Sequence, residues 1–159
     1  MAYSIRTSDV RRALSPVLGV RFTEETPLCE QAAELLRSYR PSRMTMEELC
    51  RQMKNVIFGS LFELLGHQML LRLESGVVRR ILLQDVDFMV DQAVGVLLGA
   101  MEPPEITLEW LRSFAMERGS LAAMQLLLTR YDHALPEMEK EMLRRILREN
   151  HPAASFSSQ

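Results

Sequence analysis

Residues 88–101, Phe-Met-Val-Asp-Gln-Ala-Val-Gly-Val-Leu-Leu-Gly-Ala-Met, are apolar on almost every side of a helix drawn through them. Such a helix has no face to give to water, so either other helices enclose it or a membrane does. At 1.5 Å per residue the run rises roughly 21 Å, short of the ~30 Å hydrocarbon core, and Asp91 near its start argues further against lipid. The run therefore predicts an all-α, compact globule of seven or eight short helices around one apolar central helix, about 87–101.

The flanking sequence reads as amphipathic helices separated by breakers. A first helix, Asp9 to Leu14, is expected to stop before Pro16. Thr26-Pro27 opens a second, with Leu28, Ala32, Leu35 and Leu36 on one side, ended by Arg40-Pro41. Thr45-Met-Glu-Glu48 is a capping box in which Glu48 can reach back to the backbone of Thr45. It starts a helix expected to break or kink at Gly59-Ser60. Leu61 to Glu74 and Val77 to Leu83 follow. Asp85 and Asp87 then sit at the start of the central helix, where carboxylates favour the positive end of the dipole. Met101-Glu-Pro-Pro ends that helix. Thr107 and Ser120 cap the next two, Leu108 to Glu117 and Leu121 to Tyr131, which Gly119 separates. The last helix, Glu137 to Glu149, shows Met138, Met142, Leu143, Ile146 and Leu147. No alternation of strand type and no internal repeat appears. The expected organisation is one helical domain, 1–149, and a disordered tail, 150–159.

Composition narrows the function classes. The chain of 159 residues carries a net charge of −2, so no general attraction to nucleic acid or anionic lipid is expected. Residues 1–43 nevertheless hold seven Arg against five acids. Two cysteines, Cys29 and Cys50, lack metal spacing, and the N-terminal residues have no apolar stretch that would direct export. A cytoplasmic or otherwise intracellular location is expected. Eleven methionines are many for this length, and methionine suits core gaps and adaptable partner surfaces alike.

No motif for catalysis stands out. There is no nucleophile elbow and no Gly-rich phosphate loop, and His67, His133 and His151 assemble no metal site. Asp85, Asp87 and Asp91 are the one acidic cluster beside an apolar run, and Asp91 is expected to pair with Arg79, Arg80 or Arg112. No cofactor and no metal is expected, and the chain reads as a non-enzyme. Gly95 and Gly99 lie four apart on one helical face, which fits a close helix crossing or a dimer contact. Leu61-Phe-Glu-Leu-Leu65 has the leucine spacing of helices that dock into grooves.

An apolar central helix ringed by amphipathic ones resembles the arrangement of the Bcl-2 fold. Gly66-His67-Gln68 and Ser113-Phe114-Ala115-Met116 are similar to short stretches of small viral members. The family's Asn-Trp-Gly-Arg marker is absent, and the only Trp, Trp110, follows the central helix. The resemblance implies an apoptosis regulator as one alternative. A nucleic-acid reader using Arg118, Arg130, Arg144, Arg145 and Arg148 on the C-terminal hairpin is another. The residues themselves point first to an adaptor or regulator that binds another protein, or a second copy of itself, through an apolar, methionine-containing groove or face. Met46, Met53, Leu61, Leu65 and Met69 are its expected contacts.

Overall fold

Seven α-helices and no strand occupy the described residues of the computed structural model, which are 3–18, 27–72, 76–103 and 105–150. Side chains are described there except at 17–18 and 61–82. In chain order the helices are α1 (Thr7–Leu18), α2 (Pro27–Ser38), α3 (Met46–Arg72), α4 (Gly76–Ala100), α5 (Leu108–Arg118), α6 (Leu121–Arg130) and α7 (Glu137–Asn150). A 3-10 turn, Asp132–Ala134, joins the last two. The all-α class follows from the patterning. None of these helices is long and apolar enough to cross a membrane.

Several boundaries differ from expectation, each for a local reason. Helix α1 runs through Pro16, which has no N–H for the carbonyl of Arg12 four residues back. The Ser15 hydroxyl donates to that carbonyl instead, at 2.9 Å. Helix α3 does not break at Gly59-Ser60. An isolated glycine costs a helix only about 1 kcal/mol, too little to end one carried by good helix formers on both sides. Residues 77–83 and 87–101 are likewise one helix, α4. Asp85 and Asp87 therefore lie in its interior, and the reading that placed them at a helix start is corrected. Half of the capping box forms: the Glu48 N–H donates to Thr45 Oγ1 at 3.1 Å. The Glu48 carboxylate accepts from Arg51 and Gln52 rather than turning back. Asn150, expected to start the tail, instead closes α7, its Nδ2 donating to the Ile146 carbonyl, and the rest of the expected tail, 151–159, lies outside the described residues.

The chain gathers into two compact units, Met1–Val94 and Gly95–Gln159. In the first, Val10 and Leu14 of α1, Leu28, Ala32 and Leu36 of α2, and Leu49, Met53 and Ile57 of α3 are fully buried. Arg37 on α2 donates to the Ile5 carbonyl at 2.9 Å, tying the N-terminal segment to the end of α2. Lys54 of α3 pairs with Asp87 of α4 at 3.3 Å. In the second unit, Leu111, Ala115, Ala123, Leu127 and Leu143 form the core.

Helix α4 is buried along Val86, Met89, Val90, Ala93, Val94, Leu97 and Leu98, the i, i+3, i+4, i+7 stripe of an amphipathic helix. Asp91, Gln92, Gly95 and Val96 between them are half-buried, and Gly99 is exposed.

Candidate functional site

Among the described residues, the large apolar side chains left exposed are Trp110 at 36%, Met116 at 54%, Met138 at 87% and Met142 at 38%. All four belong to the second unit, on α5 and α7. Their positions follow from how these helices are fixed. Helix α5 starts where the Thr107 hydroxyl accepts the Trp110 N–H at 3.1 Å. It ends at Gly119, whose φ of 68° is left-handed and therefore favours glycine. Ser120, nearly fully buried, caps α6 by accepting the Ala123 N–H at 3.1 Å. With Leu111 and Ala115 committed to the core, the neighbouring stripe carries Trp110 and Phe114, one turn apart. Their rings stack at 5.1 Å between centroids and 9° between planes.

Helix α7 is held by its other side. Lys140 and Leu143 are buried, and the Lys140 ammonium lies 2.8 Å from Glu137 and 3.6 Å from Asp132. The hydrogen bond from Glu137 raises the Lys140 pKa, with Asp132 adding to it. At 100° per residue, Met138 and Met142 fall nearly opposite Lys140 and project outward. Arg112 of α5 and Glu139 of α7 form a two-pronged bridge, Nε to Oε1 at 3.0 Å and Nη2 to Oε2 at 2.8 Å. Met116 is one turn beyond Arg112, and Met138 and Met142 stand within a turn of Glu139. The three methionines therefore flank the bridge, and the Trp110–Phe114 pair marks the other edge of α5.

The residues expected to contact a partner are placed elsewhere. Met53 is fully buried in the first unit and Met46 is half-buried at the start of α3. The side chains of Leu61, Leu65 and Met69 lie outside the described residues. A Cβ on Gly95 would fall 2.5 Å from the Ala122 Cβ, so α4 and α6 come close there, whereas Gly99 faces open space. The exposed Met138 and Met142 were legible only as members of an apolar stripe with Leu143, Ile146 and Leu147. The signal that α7 turns the other way is Lys140, whose two acidic neighbours at 132 and 137 let its long stem enter the core.

Reactive groups are quiet. No cluster of three or more His, Cys, Asp or Glu able to hold a metal occurs among the described residues. Cys29 and Cys50 are buried and unbridged. Burial raises the Cys29 thiol, partly offset by Arg11, which keeps it protonated and poorly nucleophilic at neutral pH. Burial likewise pushes the Asp85 carboxyl up. Hydrogen bonds from Arg51 and then Gln52 pull the Glu48 carboxyl down. Of the arginines that a nucleic-acid face would gather, Arg130 is spent internally. Its Nη1 donates to the Met101 carbonyl and its Nη2 to that of Gly99, both at 3.0 Å, closing the C-terminal end of α4.

No family model, no curated protein and no solved structure matches this chain.

Proposed function

We propose that this chain is a non-enzymatic intracellular protein–protein interaction module whose docking surface is the methionine-rich face of α5 and α7. The observation that carries the reading is the exposure of Trp110, Met116, Met138 and Met142 on two helices that the Arg112–Glu139 bridge holds together. Methionine adapts to varied apolar surfaces, and a half-exposed tryptophan backed by a stacked ring is a rigid anchor. The occupant that fits is an amphipathic helix of another protein, presenting apolar residues at i, i+3, i+4 and i+7. Charges of both signs border the face: Glu109 and Glu117 are exposed on α5, with Glu117 two turns along the Trp110 stripe, and Arg145 is exposed two turns along the Met138 stripe of α7.

Photo-crosslinking from diazirine side chains placed at positions 116 and 138, in the cell that makes the protein, tests this. The reading expects an adduct at an amphipathic helix of a second protein, lost when Trp110 and Met142 are both replaced by Ala while the helical content persists. Adducts only with further copies of this chain, or with nucleic acid, would overturn it.

A further inference from the structure

Three arginines gather around the C-terminal end of α2, and no carboxylate pairs with any of them among the described residues. Arg37 Nη1 donates to the Ile5 carbonyl at 2.9 Å. Arg40 Nη1 folds back onto the carbonyls of Tyr39, at 2.7 Å, and Arg37, at 3.1 Å. The Arg43 N–H then donates to the Arg40 carbonyl at 3.0 Å, and Pro41 stiffens the turn between them. Guanidiniums at a helix C-terminus have a structural reason to be there, since they satisfy the last carbonyls and favour the negative end of the dipole. That role uses one nitrogen of Arg40, while one nitrogen of Arg37 is taken by the Ile5 carbonyl. It leaves their other N–H donors, and all of the exposed Arg43 guanidinium, without a partner among the described residues. Glu34, three residues before Arg37 on α2, makes no ion pair among the described residues. Arg6, beside Ile5, is held by Asp9 at 3.8 Å and is not counted with the three.

We propose that Arg37, Arg40 and Arg43 form a binding site for a phosphorylated side chain of a partner protein. Arg37 and Arg40 are half-buried residues whose guanidiniums are oriented by backbone carbonyls, so they keep their full charge while losing little freedom on binding. A phosphomonoester carries a charge of about −1.5 to −2 and three acceptor oxygens, which suits three two-pronged donors spaced three residues apart along the chain. A membrane surface fits less well. The described part of this unit exposes no large apolar side chain to insert beside the charges. Nucleic acid also fits less well, because a repeating backbone is met by a stripe of bases and this cluster spans one turn. The choice of a protein as the source rests on the proposed interaction role. The phosphate chemistry does not, and the experiment separates the two.

The test is amide NMR of the intact chain titrated with four probes. These are inorganic phosphate, a degenerate peptide pool with a central phosphoserine, the same pool dephosphorylated, and phosphatidylcholine vesicles containing phosphatidylserine. The site predicts saturable shifts at residues 37–44 with phosphate and with the phosphorylated pool, and none with the dephosphorylated one. Arg43→Gln, which leaves the turn's backbone bonds in place, should weaken both by about tenfold. The pair Arg37→Gln with Arg40→Gln should abolish them. Shifts spread equally over Arg118, Arg144, Arg145 and Arg148, or unchanged by Arg43→Gln, would overturn the site. A response to phosphate or vesicles but not to the phosphorylated pool would overturn the protein source and leave the α5–α7 surface untouched.

Discussion

Gly95→Ala and Gly99→Ala are the same chemical change, one turn apart on one helix, and should shift stability in opposite directions. At Gly95 the added methyl would sit 2.5 Å from the Ala122 Cβ, and at Gly99 it meets nothing within 4 Å. Carbon atoms rest at about 3.5–4.0 Å, so α4 and α6 must part locally by roughly 1 Å or more. Neither atom is the end of a flexible chain that could swing away. Overpacking of this kind costs about 1–3 kcal/mol, and replacing a mid-helix glycine by alanine returns about 1 kcal/mol. Gly95→Ala should therefore lose up to about 2 kcal/mol, while Gly99→Ala gains about 0.5–1 kcal/mol. The two variants should differ by about 2 kcal/mol in urea unfolding, or roughly 4–8 °C in thermal midpoint. Ala122→Gly added to Gly95→Ala should show a stabilising coupling energy in a double-mutant cycle. Equal stability of the two alanine variants, or no coupling with Ala122, would refute the crossing.

The remaining predictions concern single groups. Arg130→Gln should lower stability by about 1 kcal/mol, because it frees the Met101 and Gly99 carbonyls at the end of α4, and Arg130→Lys should restore only part, as an ammonium cannot fork to both. Ser120→Ala should cost about 1–2 kcal/mol in chemical denaturation, since the Ala123 N–H loses its acceptor in a buried place. Asp85 contributes one pH dependence: its folded pKa lies above the ordinary 3.8, so the group favours the fold below that value and the benefit is lost as pH rises through the folded pKa. Asp85→Asn should accordingly raise the thermal midpoint at pH 7, with the gain vanishing below about pH 3.8.

Local capping signals carried most of the fold. Thr107 and Ser120 could be read as N-caps because their hydroxyls satisfy an amide three residues on, which needs no tertiary partner. Gly119 could be read for the same reason, as a left-handed residue closing α5. Where the reading failed, a neighbour had rescued a broken rule. Ser15 supplies the hydrogen bond that Pro16 cannot, and Asp85 and Asp87 lie within α4 because an aspartate costs a helix interior little when good helix formers flank it. The candidate site was harder still. Met53 and Met142 both belong to apolar stripes, and nothing in spacing says that one is fully buried and the other exposed. That outcome depends on which side of α7 faces the core, where Leu143 and the stem of Lys140 are buried. The near approach of Gly95 to Ala122 also required knowing that α6, and not another helix, lies against α4.

Trp110 is the only tryptophan of the chain, so its fluorescence reports the docking face without a label. The most direct test titrates the intact protein with the partner helix recovered by crosslinking. Saturable binding should shift the Trp110 emission to the blue as the half-exposed ring leaves water. Met138→Glu should abolish the shift without changing the thermal midpoint. Binding that leaves Trp110 emission unaltered, or that survives Met138→Glu, would contradict docking on α5 and α7.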